Sequence, residues 1–290
     1  MTHEPIDPPV LTHWPATAAV PLVVSSPHSG RVYPRDLLAR VAIGRDDLRR
    51  LEDVDVDRLL GGAPELGAAL VSARYARAFV DANREPWELD RHVLDGPVPD
   101  FVNTASAKAR AGLGTVPTRI GTTRLYAERL HFEEIRTRVQ RAYWPYHDAL
   151  EKGLARARAR FGLALLLDCH SMPSPPGHAS AADQIDVALG DRFGRSCCPS
   201  VVEWAEAFFR ARGLKVARNR PYAGGFITSH YGRPQERQYA LQLEIRRSLY
   251  MDEATFESNG GLAALRKLFD DFLAELATRL QQLACAVEAA

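Results

Sequence analysis

A short apolar run that ends at a histidine is the feature that most constrains this fold. Residues 162–167 are almost wholly apolar, and so short a run is typical of a strand buried on both faces. It stops at Asp168-Cys169-His170-Ser171, and a proline-rich stretch follows. In open α/β sheets, ligands bind outside the carboxyl ends of the strands. We therefore predict that His170 lies in a functional site at the edge of a sheet.

A second stretch near the N-terminus repeats this pattern. Residues 19–25 are mainly apolar, and Pro27-His28-Ser29-Gly30 follows them almost at once. Each predicted strand therefore ends at a histidine followed by a serine. Taken alone, each histidine is as well explained as an ordinary loop residue. Two of them at the carboxyl edge of one sheet can face each other, so we expect His28 and His170 to share a site.

Predicted strands alternate with predicted helices along most of the chain. The strands are predicted at 19–25, 68–71, 78–81, 162–167, 185–190, 214–217 and 240–245, and the helices at 45–60, 127–160, 200–212 and from 261 to the end. This order favours an α/β fold with three α/β/α layers around a mixed, mostly parallel sheet. Without an internal repeat or a linker, we expect an irregular lead-in over residues 1–18 and a single catalytic domain over residues 19–290.

The overall charge excludes some classes of partner. The chain has 290 residues, of which 37 are basic and 36 are acidic, and this balance gives no field that attracts nucleic acid or an anionic membrane. No apolar run approaches the length of a membrane helix, and the N-terminus lacks the pattern of a signal peptide. The four cysteines form no C-x-x-C pair, which favours reduced thiols and a cytoplasmic location.

Several polar residues are candidates for the chemistry of the site. The acidic stretch at 52–57 is a source of the oxygen ligand that a site with two histidines needs, although a solvated helix face explains most of its carboxylates. Asn83-Arg84 can clamp an anion, or Arg84 can simply pair with Glu85. Glu244 lies within an alternating strand pattern, where it suits a general base or an ion pair on an edge strand.

Two strand-end histidines and a carboxylate predict a hydrolytic zinc site. Three protein ligands hold such a metal and leave a fourth position open for water. The chain has no H-E-x-x-H motif, so a helix-based zinc protease is excluded. Arg220, followed by Gly224-Gly225, is a second candidate for anion binding, because paired glycines let backbone approach a ligand closely.

Six motifs, in order between about residues 20 and 255, resemble those of N-formylglutamate amidohydrolases. They are Pro27-His28-Ser29-Gly30, Asp81-Ala82-Asn83-Arg84-Glu85-Pro86, Leu167-Asp168-Cys169-His170-Ser171-Met172-Pro173, Gly190-Asp191-Arg192-Phe193-Gly194, Asn219-Arg220-Pro221-Tyr222-Ala223-Gly224-Gly225 and Leu243-Glu244-Ile245. The resemblance implies a fold like that of zinc carboxypeptidases and aspartoacylase-type deacylases, the phosphorylase/hydrolase-like class. It implies hydrolysis of N-formyl-L-glutamate, a small acidic substrate, to formate and L-glutamate, a late step of histidine breakdown in some bacteria.

The resemblance also implies a role for each candidate residue. His28 and His170 become ligands of one Zn²⁺ per chain, or of another divalent metal. The similar deacylases place a glutamate ligand three residues after the first histidine, where this chain has Arg31. Asp57 fits best as the third ligand, and Glu52 and Asp53 remain alternatives. The substrate-binding and catalytic residues implied are Asn83, Arg84, Arg220, Gly224 and Gly225 for binding, and Glu244, with Arg84, for catalysis.

Three other functions remain open. The same zinc chemistry can serve another N-acyl amino acid or a small peptide, because pocket residues set the acyl group. A non-enzymatic binding protein can use the same fold, and a cysteine hydrolase can be built on Cys169 beside His170. The sequence does not determine the physiological metal, the oligomeric state or whether residues 92–125 close over a substrate.

Overall fold

The computed structural model describes residues 8–15, 17–175 and 184–288. The strands are β1 (Val10–His13), β2 (Leu22–Ser26), β3 (Ala69–Ala73), β4 (Leu94–Asp95), β5 (Arg119–Ile120), β6 (Thr123–Arg124), β7 (Leu130–His131), β8 (Ala164–Met172), β9 (Val187–Gly190), β10 (Val216–Arg218) and β11 (Gln238–Arg246). The α-helices are α1 (Arg35–Leu38), α2 (Arg45–Leu48), α3 (Val56–Leu59), α4 (Ala107–Arg110), α5 (Phe132–Arg138), α6 (Trp144–Phe161), α7 (Pro199–Ala211), α8 (Phe226–Tyr231) and α9 (Gly261–Glu288). Short 3₁₀ turns cover Arg49–Leu51, Ala63–Leu66, Arg91–Val93, Pro234–Glu236 and Arg247–Leu249, and a π-helical segment covers Val139–Tyr143.

Seven strands form the main sheet in the order β1-β3-β2-β8-β11-β9-β10. β8 pairs in parallel with β2 on one side and with β11 on the other, and β9 then pairs antiparallel with β11 and parallel with β10. The prediction of an α/β fold with a mixed, mostly parallel sheet is therefore confirmed. β8 and β2 run in the same direction, so their carboxyl ends lie at one edge of the sheet.

An apolar core fixes the strands that carry the candidate residues. Alternate side chains of β8 (Leu165, Leu167 and Cys169) and of β11 (Leu241 and Leu243) are buried in one hydrophobic cluster with α7 and α9. Burying a leucine fully contributes roughly 1.5–3 kcal/mol. Because the period of a strand is two, the alternate polar residues are directed to the opposite face, and a slip of one residue would expose this apolar set.

The chain clusters into two compact units. Unit 1 comprises the described parts of Met1–Leu11, Pro27–Glu52 and Ser72–Ala149, and unit 2 comprises those of Thr12–Ser26, Asp53–Val71 and Leu150–Ala290. Unit 2 contains the hydrophobic cluster and the pairings of β2, β8, β11, β9 and β10. Unit 1 contains the small ladders β4–β7 and β5–β6. The single catalytic domain over residues 19–290 stays a prediction.

Two predicted elements differ in the structure. The helix predicted at 45–60 is broken: α2 and a 3₁₀ turn end at Leu51, and α3 starts only at Val56. Asp55, just before α3, has a left-handed backbone with φ 60°. The strand predicted at 78–81 is wrong, because these residues form a turn in which Phe79 N–H donates to the Ala76 carbonyl at 2.8 Å. The apolar residues there are buried without joining a ladder, and burial alone does not distinguish a turn from a strand.

Two further segments also differ from the prediction. β1 lies inside residues 1–18, for which the sequence predicts no regular element, and it forms an edge of the main sheet. The helix predicted at 127–160 is observed from Phe132 to Phe161, with the π-helical segment just before Pro145. Proline has no N–H to donate to the carbonyl four residues earlier, and a wider π turn accommodates this loss. No helix among the described residues combines the length and apolarity needed to cross a membrane.

Candidate metal centre and catalytic residues

His170 lies near the end of β8 and is held by carboxylates on both ring nitrogens. Its Nε2 lies 3.0 Å from Asp168 Oδ2, and its Nδ1 lies 3.1 Å from Asp53 Oδ2. Asp168 is two residues earlier on the same strand, so both side chains point to the same face. Ser25 at the end of β2 donates to the other oxygen of Asp168 at 2.8 Å. The imidazole is 3% exposed, so its orientation is fixed by these contacts.

The surroundings of His170 strongly favour a cation. Burial alone disfavours the charged imidazole, but the charge of Asp168 and hydrogen bonds to Asp168 and Asp53 raise the pKa of His170 well above its usual range. The charge of Glu244 acts in the same direction. Surroundings that favour a bound proton also favour a bound metal ion.

Asp53 is anchored through one of its two oxygens. Its Oδ1 accepts hydrogen bonds from Ser171 Oγ at 3.0 Å and from Arg247 Nη2 at 3.2 Å, and Arg247 Nε also donates to Ser171 Oγ at 3.0 Å. Its Oδ2 is the atom directed at His170. Asp53 lies between the 3₁₀ turn Arg49–Leu51 and α3, and it is only 2% exposed. Two donors on Oδ1 therefore fix the direction of Oδ2.

His28 follows β2 and is held by a buried carboxylate of its own. Its Nε2 lies 2.7 Å from Asp81 Oδ1, which also accepts the Asn83 N–H at 2.8 Å. Arg77 Nε donates to Asp81 Oδ2 at 2.8 Å. Burial raises the pKa of Asp81, but the charges of Arg77, His28 and Arg84 together lower it well below its usual range. An ionised carboxylate on one nitrogen of a histidine orients the ring.

One ligand atom each from His28, Asp53 and His170 lies within 4.8 Å of the others, and all three residues are buried. Two imidazoles and a carboxylate are a donor set of catalytic zinc sites. These residues therefore form a group able to bind a metal ion. Asp57, the preferred third ligand from the sequence, does not belong to this group, and its place is taken by the alternative Asp53. The other alternative, Glu52, accepts a hydrogen bond from the Tyr33 hydroxyl.

Glu244 lies on β11 directly beside His170. The two residues are register partners in the parallel β8–β11 ladder, so their side chains leave the sheet on the same face. Gln242 Nε2 donates to Glu244 Oε1 at 2.9 Å, and Gln242 Oε1 accepts the Gly225 N–H at 2.8 Å. Glu244 is 7% exposed. A buried carboxylate next to a candidate metal ligand, with one oxygen held by an amide, is suited to moving a proton.

Arg84 is fixed by backbone carbonyls. Its Nε donates to the Leu113 carbonyl and its Nη1 to the Asn83 carbonyl, both at 2.7 Å. Its own carbonyl accepts a hydrogen bond from the Tyr143 hydroxyl at 2.8 Å. The pairing with Glu85 considered from the sequence is not observed: the described Glu85 carboxylate accepts from Asn103 Nδ2 at 3.1 Å. Two backbone carbonyls therefore hold the guanidinium of Arg84. The carboxylate oxygen Asp81 Oδ2 lies farther away, at 3.8 Å from Arg84 Nε.

Comparison with known proteins identifies the family of this chain. The family model described as N-formylglutamate amidohydrolase matches residues 20–251. The chain belongs to the N-formylglutamate amidohydrolase family. The N-formylglutamate deformylase of Pseudomonas aeruginosa is 34% identical over 267 residues, which cover 88% of this chain and 93% of that protein. That of Pseudomonas putida is 34% identical over 242 residues, covering 81% and 83%. The crystal structure of N-formylglutamate amidohydrolase from Ralstonia eutropha JMP134 superposes with a TM-score of 0.89 at 36% identity and covers 94% of this chain and 99% of that one.

Two family motifs that are far apart in the sequence meet in unit 2. Asn219 Oδ1 accepts the Asp191 N–H at 3.1 Å, and its Nδ2 donates to Asp191 Oδ1 at 2.6 Å. Gly190 lets the loop that contains Gly224 approach β9 closely, because a Cβ at Gly190 would lie 2.8 Å from Gly224 N. Gly224 itself has φ 120°, which side chains rarely allow. The loop that carries Gly224-Gly225 is therefore packed on the sheet beside Gln242. Arg220, also in this loop, is exposed.

Cys169 is not placed as a nucleophile. It is 1% exposed and belongs to the apolar cluster, on the face of β8 opposite His170. Burial, with the charges of Asp168 and Glu244, raises the pKa of its thiol well above the usual range. A thiolate nucleophile needs the opposite environment. The structure therefore disfavours a cysteine hydrolase.

The sequence reasoning missed the residues that orient the ligands. These are Asp81 behind His28, Asp168 behind His170, and Ser171 with Arg247 behind Asp53. One signal was available, since Asp168-x-His170 in a strand places both side chains on one face. Nothing in the local sequence pairs Arg247 with Asp53, which lies 194 residues away along the chain.

Proposed function

We propose that this protein hydrolyses N-formyl-L-glutamate to formate and L-glutamate. The names of the similar proteins in two Pseudomonas species support this substrate. The observation that carries the proposal is the buried group of His28, Asp53 and His170, with Glu244 in register beside His170. Hydrolysis of an amide requires activation of water, stabilisation of charge on the carbonyl oxygen and a proton for the departing nitrogen.

We propose that His28, Asp53 and His170 hold one zinc ion per chain, although another divalent metal suits the same ligands. The structure supports the fit, because other residues engage one atom of each ligand. Asp81 contacts His28 Nε2, and Asp168 contacts His170 Nε2. Ser171 and Arg247 donate hydrogen bonds to Asp53 Oδ1. The ion would be held by His28 Nδ1, Asp53 Oδ2 and His170 Nδ1, of which the last two lie 3.1 Å apart. Zinc held there would supply a Lewis acid that polarises a carbonyl and brings the pKa of bound water to about 7.

Glu244 is the proposed general base and acid. Its carboxylate takes a proton from the water that attacks the formyl carbon, and it delivers that proton to the amine nitrogen of the departing glutamate. Gln242 keeps one carboxylate oxygen in place. Because Gln242 also holds Gly225, the base and the glycine loop are positioned by one amide side chain. No further residue is needed to carry the proton.

The substrate-binding roles rest on charge and rigidity. Asn83 and Arg84 are proposed to bind a substrate carboxylate or the carbonyl oxygen, and a guanidinium fixed by two carbonyls is preorganised for such an oxygen. Arg220 and the Gly224-Gly225 loop are proposed to line the pocket. N-formyl-L-glutamate has two carboxylates, so cationic side chains are the expected partners.

A panel of four substrates tests the function. Turnover of N-formyl-, N-acetyl- and N-succinyl-L-glutamate and of N-formyl-L-aspartate is measured by release of the free amino acid. We expect kcat/KM to be highest for N-formyl-L-glutamate. Faster release from an acetyl or succinyl substrate would assign the protein to another N-acyl amino acid. No release from any of the four would contradict the proposal.

A further inference from the structure

Unit 1 contains a polar pocket that includes none of the predicted site residues. It has a volume of about 240 Å³, and three arginines line it: Arg119, Arg124 and Arg129. His92, Thr118 and Glu128 also belong to its lining. The pocket is smaller than the sites that hold drug-sized ligands, so it suits a small molecule.

Two of these arginines face each other across a hairpin. β5 and β6 pair antiparallel, and Arg119 and Arg124 are direct register partners. Residues directly opposite in such a pair have Cβ atoms about 4.5–5.5 Å apart on the same face, and like charges there are destabilising. The hairpin therefore places two arginine side chains on one face, where repulsion between their charges costs stability that a bound anion would offset.

The negative charges of the lining are already engaged, but these arginines are not. Asp90 accepts hydrogen bonds from Thr118 Oγ1 at 2.8 Å and from the His92 N–H at 2.9 Å. Glu128 pairs with Arg40 Nη1 at 2.9 Å, and Arg40 Nη2 also donates to the Arg129 carbonyl at 2.7 Å. Within the described part of the chain, the side chains of Arg119, Arg124 and Arg129 make no hydrogen bond or ion pair.

Other contacts hold the pocket open and in shape. Thr118 N–H donates to the Gly112 carbonyl, and Leu125 N–H donates to the Thr118 carbonyl, both at 2.9 Å. The hydroxyl of Tyr126, another lining residue, accepts a hydrogen bond from the buried Arg138 at 2.6 Å. The base of the hairpin is thus fixed before any ligand binds, which reduces the entropy that binding must overcome.

We propose that this pocket binds a small polyanion that carries at least two carboxylate or phosphate groups. Guanidinium groups bind either group in bidentate fashion, and three arginines that line one pocket match separated charges on one molecule. The site shares no residue with the proposed metal centre, so this inference stands independently of the proposed substrate. Binding is expected to stabilise the β5–β6 hairpin.

Isothermal titration of the full-length chain at low ionic strength tests the proposal, because salt screens exposed charges. Pyrophosphate is the phosphate probe and tricarballylate the carboxylate probe, each titrated into protein dialysed without added metal, since both chelate metal ions. Binding of either probe supports the site, and their relative affinity identifies the preferred group. Arg119→Gln and Arg124→Gln should each weaken binding at least tenfold. The control Arg195→Gln removes an exposed arginine elsewhere and should change the affinity less than twofold.

Three results would overturn the proposal. They are no binding of either probe to the wild type, equal binding by the Arg119→Gln and wild-type proteins, and loss of binding in His28→Ala, which would place the anion at the metal centre. Thermal melting without ligand separates binding from folding. If like-charge repulsion is present, Arg119→Gln and Arg124→Gln melt no lower than the wild type. A lower melting temperature for both would show that the two guanidiniums stabilise the fold and would contradict the repulsion on which the site rests.

Discussion

Replacing Asp81 by asparagine is the sharpest test of how the metal centre is built. Asp81 is not one of the proposed metal ligands, but its Oδ1 lies 2.7 Å from Nε2 of the proposed ligand His28. The substitution keeps the shape of the side chain and removes its charge. The new amide can present an NH₂ group to His28 Nε2, which favours the wrong tautomer of the ring. Loss of the charge and loss of the orientation both weaken metal binding, so the sign of the effect is certain.

The size of this effect follows from the contact. Removing the partner that orients a metal-binding histidine typically lowers metal affinity 10–100-fold. That range corresponds to about 1.4–2.8 kcal/mol. It matches the roughly 1.5–3 kcal/mol of a hydrogen bond that involves a charged group. We therefore expect the metal dissociation constant of Asp81→Asn to rise 10–100-fold.

The assay is competition for zinc with a chromophoric chelator near pH 7.5. Asp186→Asn is the matched control, because Asp186 is also buried, pairs with Arg246 at 2.7 Å and accepts the Lys215 N–H at 2.8 Å. Both variants should lose stability, but only Asp81→Asn should lose metal affinity. Circular dichroism confirms that each is folded. Equal zinc affinity in Asp81→Asn and the wild type would refute the role of Asp81.

The pKa of Asp81 also predicts how pH affects stability. Its folded-state pKa lies well below its usual value, so the stability it contributes is complete at neutral pH. That contribution is lost as the pH falls below the unfolded value of about 3.9 and through the folded one. The difference in free energy of unfolding between wild type and Asp81→Asn should therefore be constant from pH 6 to 8 and shrink in acid. Urea titrations at each pH measure it, and a difference that grew in acid would contradict the assignment.

Three further variants test the remaining roles. Asp53→Asn should abolish tight zinc binding in the chelator assay, whereas Asp57→Asn should leave it unchanged; the reverse result would restore the ligand preferred from the sequence. Glu244→Gln should keep zinc affinity and lower kcat by about 10²–10⁴-fold, the usual contribution of a general base, and a fully active variant would exclude this role. Cys169→Ala should keep kcat and lower the free energy of unfolding by about 1 kcal/mol, because the thiol packs in the core; loss of kcat without loss of stability would revive the thiol nucleophile.

The strands that carry the site could be predicted because periodicity and burial agree there. β2, β8 and β11 are apolar on one face and end at polar or turn residues, so the pattern indicates both the strand and the end that carries the candidate residues. His28, His170 and Glu244 were found in this way. Register then follows from the alternation, since a one-residue slip would bury Glu244 in the core. The local sequence was therefore sufficient to predict these strands, their register and the candidate residues on them.

The proposed third ligand, Asp53, could not be predicted from a local pattern. Residues 45–60 have a helical period, which places Asp57 on a helix and gives Asp53 no special position. In the structure the helix is interrupted at residues 52–55, and Asp55 there has a left-handed backbone. A distant contact supports it, because the Tyr250 hydroxyl donates to the Val54 carbonyl at 2.9 Å. Tertiary contacts of this kind override helical propensity, and a single sequence does not show them.

The central claim, that a metal held by His28, Asp53 and His170 is required for deformylation, is tested by one paired measurement. Metal content per chain is determined together with formate release from N-formyl-L-glutamate, before chelation, after chelation and after metal is restored. We expect about one zinc per chain, loss of formate release on chelation and its recovery with zinc. Formate release that is unchanged in metal-free protein would contradict the claim.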